Sequence, residues 1–433
     1  MPRPDSVPGL ALRLLWLRGV RLRHVALGAA VAAGLLGVAR AVAPPRAASP
    51  DVPSPLRAAF EALPPDGSAR TAFEPALVAT SDGWLAAWTV WGRGASPAVE
   101  LCPLKADGTL AAPPRRVSEG DTFARRPALA RGGDRYAVAW AASANADPNA
   151  VRPYAEYVDA TGRALVDAAP LTEATPVYQV AAAHDGRSFA FAWQVPRGPH
   201  AIHFVRRDGA GHRVGEDRRL PLGEGAYSFF TPLVAATEGW LLLHDLRDTD
   251  RDRSTLVARW LAPDGAPVGE LTVARFAGET HHVAVTTCGA SHQLAWGEDG
   301  LFSARHDPRI ARLDGRAVGV DPAPLGPRRS ATPASVACNA TGCTFVWVEV
   351  APGAESPELF VERRDRDGVR KGLPLRVPSH GGASLWRAPV VAPSADGATQ
   401  LVLMPMASGG GVLAQRLDAE GRLLGLAHVL PVR

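Results

Sequence analysis

The side chains in this sequence that could do chemistry fall into a few sets, and spacing alone weighs most of them. Four cysteines stand at Cys102, Cys288, Cys338 and Cys343. Cys338 and Cys343 bracket the stretch Asn-Ala-Thr-Gly. Two antiparallel strands joined there would set them side by side as a hairpin disulfide, a bond that lasts in an oxidising compartment. A zinc site would need two more ligands at suitable spacing, and none follows. Cys102 and Cys288 read as buried free thiols. Asp248, Asp250 and Asp252 alternate like the opening of a calcium loop. Arg253 stands where that loop needs glycine, and Arg259 where it needs its closing acid. A solvated charged hairpin fits better, and metal binding at these aspartates stays open. His281 and His282 are adjacent, so on a strand they point to opposite faces and do not readily chelate one ion together. Glu74, Glu279, Glu298 and Glu349 are the acids that a hydrolase or lyase would draw on, but none has a recognisable setting. No G-x-S-x-G, no H-E-x-x-H and no phosphate-cradling glycine loop occurs. No cofactor is implied.

A further set emerges only when the chain is aligned with itself. FEPALVATSDGWLAAWTV (73–90) returns as RRPALARGGDRYAVAWAA (125–142) and around VAAAHDGRSFAFAWQV (180–195). It returns as TPLVAATEGWLLLHDL (231–246), HVAVTTCGASHQLAWGE (282–298), TPASVACNATGCTFVWVE (332–349) and APVVAPSADGATQLVLMP (388–405), seven copies in all. Trp88, Trp140, Trp193, Trp296 and Trp347 are 52, 53, 103 and 51 residues apart, with His244 and Met404 in the two remaining places. A second landmark, an Asp-Gly turn or a near relative, follows each copy from KADG (105–108) to RLDAEG (416–421) and keeps the same period.

Each copy decodes into four strands. A small apolar strand is followed by a glycine turn, an alternating strand ending near the tryptophan, a variable connection, a third strand running into the Asp-Gly turn, and a short fourth strand. No helical period of any length occurs after residue 70. Four antiparallel strands repeated seven times predict an all-β fold, a seven-bladed β-propeller of four-stranded antiparallel blades over 71–433. The last copy carries its own fourth strand around 423–432, so the ring closes by apolar contact between contiguous blades. The pattern resembles exported bacterial seven-bladed propeller repeat proteins, a largely uncharacterised group, over residues 73–433. It lacks the G-H…W-D signature of WD40 repeats and the regular glycine doublet of kelch repeats. Ser81-Asp82-Gly83-Trp84 has the letters of the sialidase box at the wrong spacing. The resemblance implies a fold and little chemistry.

Strand alternation assigns the faces. The tight 1–2 and 3–4 turns share one rim. The variable 2–3 connections and the residues entering each first strand share the other, where binding sits on rigid scaffolds. Those entering residues are Phe73, Glu74, Arg125, Arg126, Tyr178, Gln179, Phe229, Phe230, His281, His282, Thr332, Trp386 and Arg387. Aromatic faces stack on sugars or other flat apolar surfaces, and arginine pairs with carboxylate or phosphate. The ligand-binding candidates are Arg126, Tyr178, Phe230, His282, Trp386 and Arg387. The bland alternative is that they are edge residues of buried strands. His244-Asp245, in the tryptophan's place, marks either a site or a differently packed blade.

The formal charge is +4, but residues 1–40 hold six arginines against Asp5, and without them the balance is −1. No dense basic cluster remains to neutralise phosphates, so nucleic acid is excluded as a partner. The leader places basic residues before an uncharged run from Val25 to Val38 and an Ala39-Arg40-Ala41 site. That run is shorter than the roughly 20 residues of a spanning helix. Residues 1–43 are therefore an export signal or an N-terminal membrane anchor, with a buried helix of the fold as the remaining alternative. Residues 44–70, rich in Pro and Ala, form a linker. The expectation is an exported monomer in the periplasm, at the cell surface or secreted, touching membrane only through an uncleaved leader. It would be a non-enzymatic scaffold binding a protein or glycan partner. The alternative is a carbohydrate-active hydrolase or lyase with acids at the channel mouth.

Overall fold

The computed structural model describes residues 70–432 except 93–94, 119–122, 144–149, 174–176, 196–199, 223–230, 249–252, 300–306, 326–331, 351–356, 378–387 and 407–410. The signal or anchor segment and nearly all of the linker lie outside these residues. The described strands form seven sheets of four, each antiparallel and in sequence order. Blade one runs from Arg70 to Arg116, two from Phe123 to Pro170, three from Val180 to Pro221 and four from Leu233 to Ala277. Blades five, six and seven span Glu279–Pro324, Ser335–Val377 and Val390–Pro431. Among the described residues no helix is long and apolar enough to cross a membrane.

The ring closes without a borrowed strand. The first strands of successive blades touch one another all the way round, and that of blade seven (Val390–Pro393) meets that of blade one (Arg70–Ala79). The core is divided into seven clusters, each lying in a seam between neighbouring blades. At the closing seam Trp84 and Trp88 of blade one pack with Leu401, Leu403 and Val412 of blade seven. Trp193 meets Ala137 and Tyr157 of blade two, and Trp347 meets Ala295 and Ile310 of blade five. The repeating tryptophan thus fills the wedge between blades. Each one removes roughly 200 Å² from water and stabilises its seam by several kcal/mol. The alanine-rich first strands fit the narrow wall around the axis, where larger side chains would collide.

The indole nitrogen needs a partner once buried, and in three blades a carboxylate supplies it. Trp88 Nε1 donates to Glu100 Oε2 at 3.2 Å, Trp296 Nε1 to Glu298 Oε1 at 3.1 Å and Trp347 Nε1 to Glu349 Oε2 at 2.8 Å. The Asp-Gly landmark has an equally local cause. Asp418 Oδ1 accepts the backbone N–H groups of Glu420 and Arg422 at 3.0 and 2.8 Å, closing an Asx turn. Asp159, Asp208 and Asp365 do the same in their blades. Glycine is required at Gly265, where φ is +86° and a Cβ would lie 2.5 Å from the Phe204 ring of the preceding blade.

The chain bonds Cys338 to Cys343 across the first hairpin of blade six, where the two are direct register partners. Cys102 and Cys288 are buried and free, as expected. One difference concerns Cys288. The ring brings its Sγ to 3.4 Å from Cys343 Sγ, a proximity that the linear spacing does not show.

Candidate functional site at the channel mouth

The innermost strands of blades one, two and five share a defect at the rim that carries the 2–3 connections. Their pairing with the second strand slips between Phe73 and Ala76, between Arg125 and Ala128, and between His281 and Val283. A residue in each slip adopts a left-handed backbone: Glu74 with φ 50°, Arg126 with φ 56° and His282 with φ 45°. Among the described residues these are the only non-glycine positions with positive φ. Each costs about 1–2 kcal/mol, and strain held at equivalent places around one opening is characteristic of a functional rim. In blades one and two the cause is legible. Pro75 and Pro127 follow the strained residue, offer no N–H to the ladder, and so favour a bulge.

Strict alternation predicts that His281 and His282 point to opposite faces, and the slip in blade five falls at this pair. The His281 side chain lies outside the description; His282 is half-buried at the mouth.

The strained residues and their neighbours form one cluster. Glu74 Oε1 lies 2.9 Å from Arg126 Nε, joining blades one and two. Glu74 Oε2 accepts the Arg126 backbone N–H at 3.2 Å and the Thr89 hydroxyl at 3.0 Å. Thr89 Oγ1 also accepts that backbone N–H at 3.0 Å. Arg126 Nη2 donates to Tyr178 Oη of blade three at 2.7 Å, with its guanidinium carbon 3.7 Å from the Tyr178 ring centroid. The Arg125 guanidinium sits 5.1 Å from the Phe123 ring and 5.3 Å from the Tyr178 ring. Its Nε is buried with no acceptor among the described residues. Burial, and then the neighbouring Arg126 charge, hold Arg125 below the ordinary guanidinium range, with Glu74 and Tyr178 opposing.

His282 completes the set from the far side of the ring. Burial, then the positive charge of Arg126, push its pKa down to about 4 against the opposing pull of Glu74. It is therefore neutral at pH 7, with one ring nitrogen able to donate and the other to accept. Among the described residues two guanidinium groups face one carboxylate here. The arrangement can receive an anionic group on Arg125, flanked by aromatic rings.

Of the six candidates drawn from the sequence, Arg126 and Tyr178 come into direct contact, and His282 lies within electrostatic reach of Arg126. Phe230, Trp386 and Arg387 lie outside the described residues, as do Asp250, Asp252 and the side chain of Asp248. Glu74 and Arg125 belong to the same rim in the sequence but are absent from those six. Their signal is the Glu-Pro and Arg-Arg-Pro openings of the first two copies. Of the other candidate acids, Glu298 and Glu349 hold indole nitrogens, Glu298 Oε2 also pairs with Arg309 Nε at 3.1 Å, and the side chain of Glu279 lies outside the description. His244 is fully buried in the tryptophan's place, with neither ring nitrogen partnered among the described residues.

No protein-family model and no curated protein matches the chain. Among solved structures it is similar to the β-propeller domain of the Trilobed protease from Pyrococcus furiosus, at 10% identity and TM-score 0.49, covering 84% of this chain and 99% of that one. It is similar to a prolyl endopeptidase at 11% identity and TM-score 0.48, covering 88% of this chain and 52% of that one. An acylaminoacyl peptidase from Pyrococcus horikoshii gives 12% identity and TM-score 0.45, with 83% and 53% covered. The chain spans about half the length of these two peptidases. The class that the fold defines is the seven-bladed β-propeller, and it rests on the chain's own seven ladders.

Proposed function

We propose that this is an exported, non-enzymatic propeller that binds a protein or glycan partner at its loop-rich face, by seating a carboxylate of that partner on Arg125. One observation carries the reading. Arg125 is a partly desolvated guanidinium near two aromatic rings, and Glu74, the carboxylate that the described residues place beside it, is already engaged by Arg126. A planar guanidinium so placed favours a bidentate carboxylate, and the rings favour a flat apolar surface beside it. The Cys338–Cys343 bond is consistent with an oxidising compartment. Binding fits better than hydrolysis, because the candidate acids whose side chains are described, Glu74, Glu298 and Glu349, are each committed to a structural partner.

The test is a binding screen of the purified protein against uronate-bearing and neutral glycans, and against acidic peptides and their amidated forms. Carboxylated members of one class should bind, and Arg125→Ala should abolish their capture. Equal capture of carboxylated and neutral members, or full capture by Arg125→Ala, would overturn the reading.

A further inference from the structure

On the rim opposite the mouth, the first hairpins of blades five and six place three sulfurs together. Cys288 ends the first strand of blade five, and Cys338 and Cys343 face each other across the first turn of blade six. The three Sγ atoms all lie within 4.8 Å of one another, and Cys288 Sγ stands 3.4 Å from Cys343 Sγ. Cys343 is fully buried and Cys288 is 5% exposed, whereas Cys338 is half-buried. A free thiol is therefore in van der Waals contact with the inner sulfur of a disulfide whose outer sulfur is nearer to solvent.

We propose that Cys288 is a resident exchange thiol, which moves the covalent link from the Cys338–Cys343 hairpin to a Cys288–Cys343 staple between blades five and six and presents Cys338 as an accessible thiol. The step is an isomerisation. Cys288 loses its proton, and its thiolate attacks Cys343 Sγ. The Cys288–Cys343 bond forms while the Cys343–Cys338 bond breaks. Cys338 leaves with the electron pair and takes up a proton. No oxidant or reductant enters, and the count of one disulfide and one thiol is unchanged.

The surroundings support both end states. Arg363 donates to Thr344, Asn339 and Thr341, and Asn339 Nδ2 donates to Gly397 O and Ala419 O of blade seven. The blade-six hairpin is thus anchored independently of its disulfide. Burial raises the Cys288 pKa, and the positive charges of Arg366, Arg363 and Arg312 oppose that rise. The thiolate is the minor form at neutral pH, so exchange is slow there and quickens in mild alkali. The consequence is a propeller that keeps its reactive thiol inside the seam in one isomer and offers it to a thiol-reactive partner in the other.

The test uses full-length protein, oxidised and free of reductant, held folded at mild alkaline pH with excess iodoacetamide and then mapped by non-reducing peptide analysis. The expected product carries the label on Cys338 and a Cys288–Cys343 linked peptide, and Cys288→Ala should leave Cys338 unlabelled. A Cys338→Ser variant, which removes the leaving sulfur, should form Cys288–Cys343 under oxidised glutathione. Label on Cys288 with the hairpin bond intact, or no label at all, would overturn the proposal. So would a folded Cys338→Ser protein that keeps both thiols free. Trapping in the wild type decides the matter even if the variant does not fold.

Discussion

Glu74 Oε1 and Arg126 Nε lie 2.9 Å apart, and each belongs to a residue held in left-handed backbone on the innermost strand of its blade. The pair therefore joins two strained points of adjacent blades at one opening. It balances the charge of Arg126 and, among the described residues, leaves Arg125 without a carboxylate of its own.

Glu74→Gln keeps the shape of this contact and removes its charge. Arg126 then adds to the positive potential at the mouth, so a carboxylate ligand should bind more tightly. The ion pair is partly solvated, with Glu74 37% exposed, so its loss should cost no more than about 1 kcal/mol. Chemical denaturation and ligand titration on the same variant check both halves.

His282→Gly tests whether the strain is retained for function. Glycine accepts φ 45° freely, and the relief should exceed its extra unfolded-state entropy by about 0.5–1 kcal/mol. His282→Ala keeps the strain and should show no such gain. Both variants should lose affinity at the mouth, measurable by isothermal titration.

Acid should destabilise the protein well before its carboxylates protonate. Burial, with Arg259 assisting, drives the His244 pKa from 6.5 down to about 3 in the folded chain. The unfolded chain takes up a proton that the folded chain refuses, so stability is complete above pH 6.5 and falls as pH drops toward 3. The slope approaches about 1.4 kcal/mol per pH unit for this one group. His282 acts in the same direction. His244→Leu should flatten the fall between about pH 6.5 and 4.5, read as unfolding free energy against pH.

Among the described residues the seam between blades seven and one is an apolar cluster, with no strand shared between the two sheets. Leu403→Ala, at a fully buried position in that seam, should cost about 2–4 kcal/mol. Leu426→Ala, at a side chain that is 85% exposed, should change stability by less than about 0.5 kcal/mol. Equal effects in thermal melts would show that the closing seam carries no special share of the stability.

Much of this protein was legible in the chain because its determinants are local and repeated. Trp88, Trp140, Trp193, Trp296 and Trp347 mark the seams, since a large indole at the same place in five of the seven copies is buried against the preceding copy. The aspartates of the Asp-Gly turns close their own Asx turns, so the fourfold strand count could be read from short stretches. Cys338 and Cys343 pair because only four residues lie between them across one tight turn.

What only the tertiary structure decided depends on closing the ring. Pro75 and Pro127 announce a break in the ladder, but residues preceding proline favour extended backbone, so the left-handed φ of Glu74 and Arg126 is not announced locally. Arg125 gains its two aromatic neighbours from blades two and three together, and His282 comes under the field of Arg126 from across the ring. Cys288 meets Cys343 because two hairpins of adjacent blades turn on the same rim. Local spacing determined the blades, whereas contacts between blades, set by their angle around one axis, decided which side chains meet.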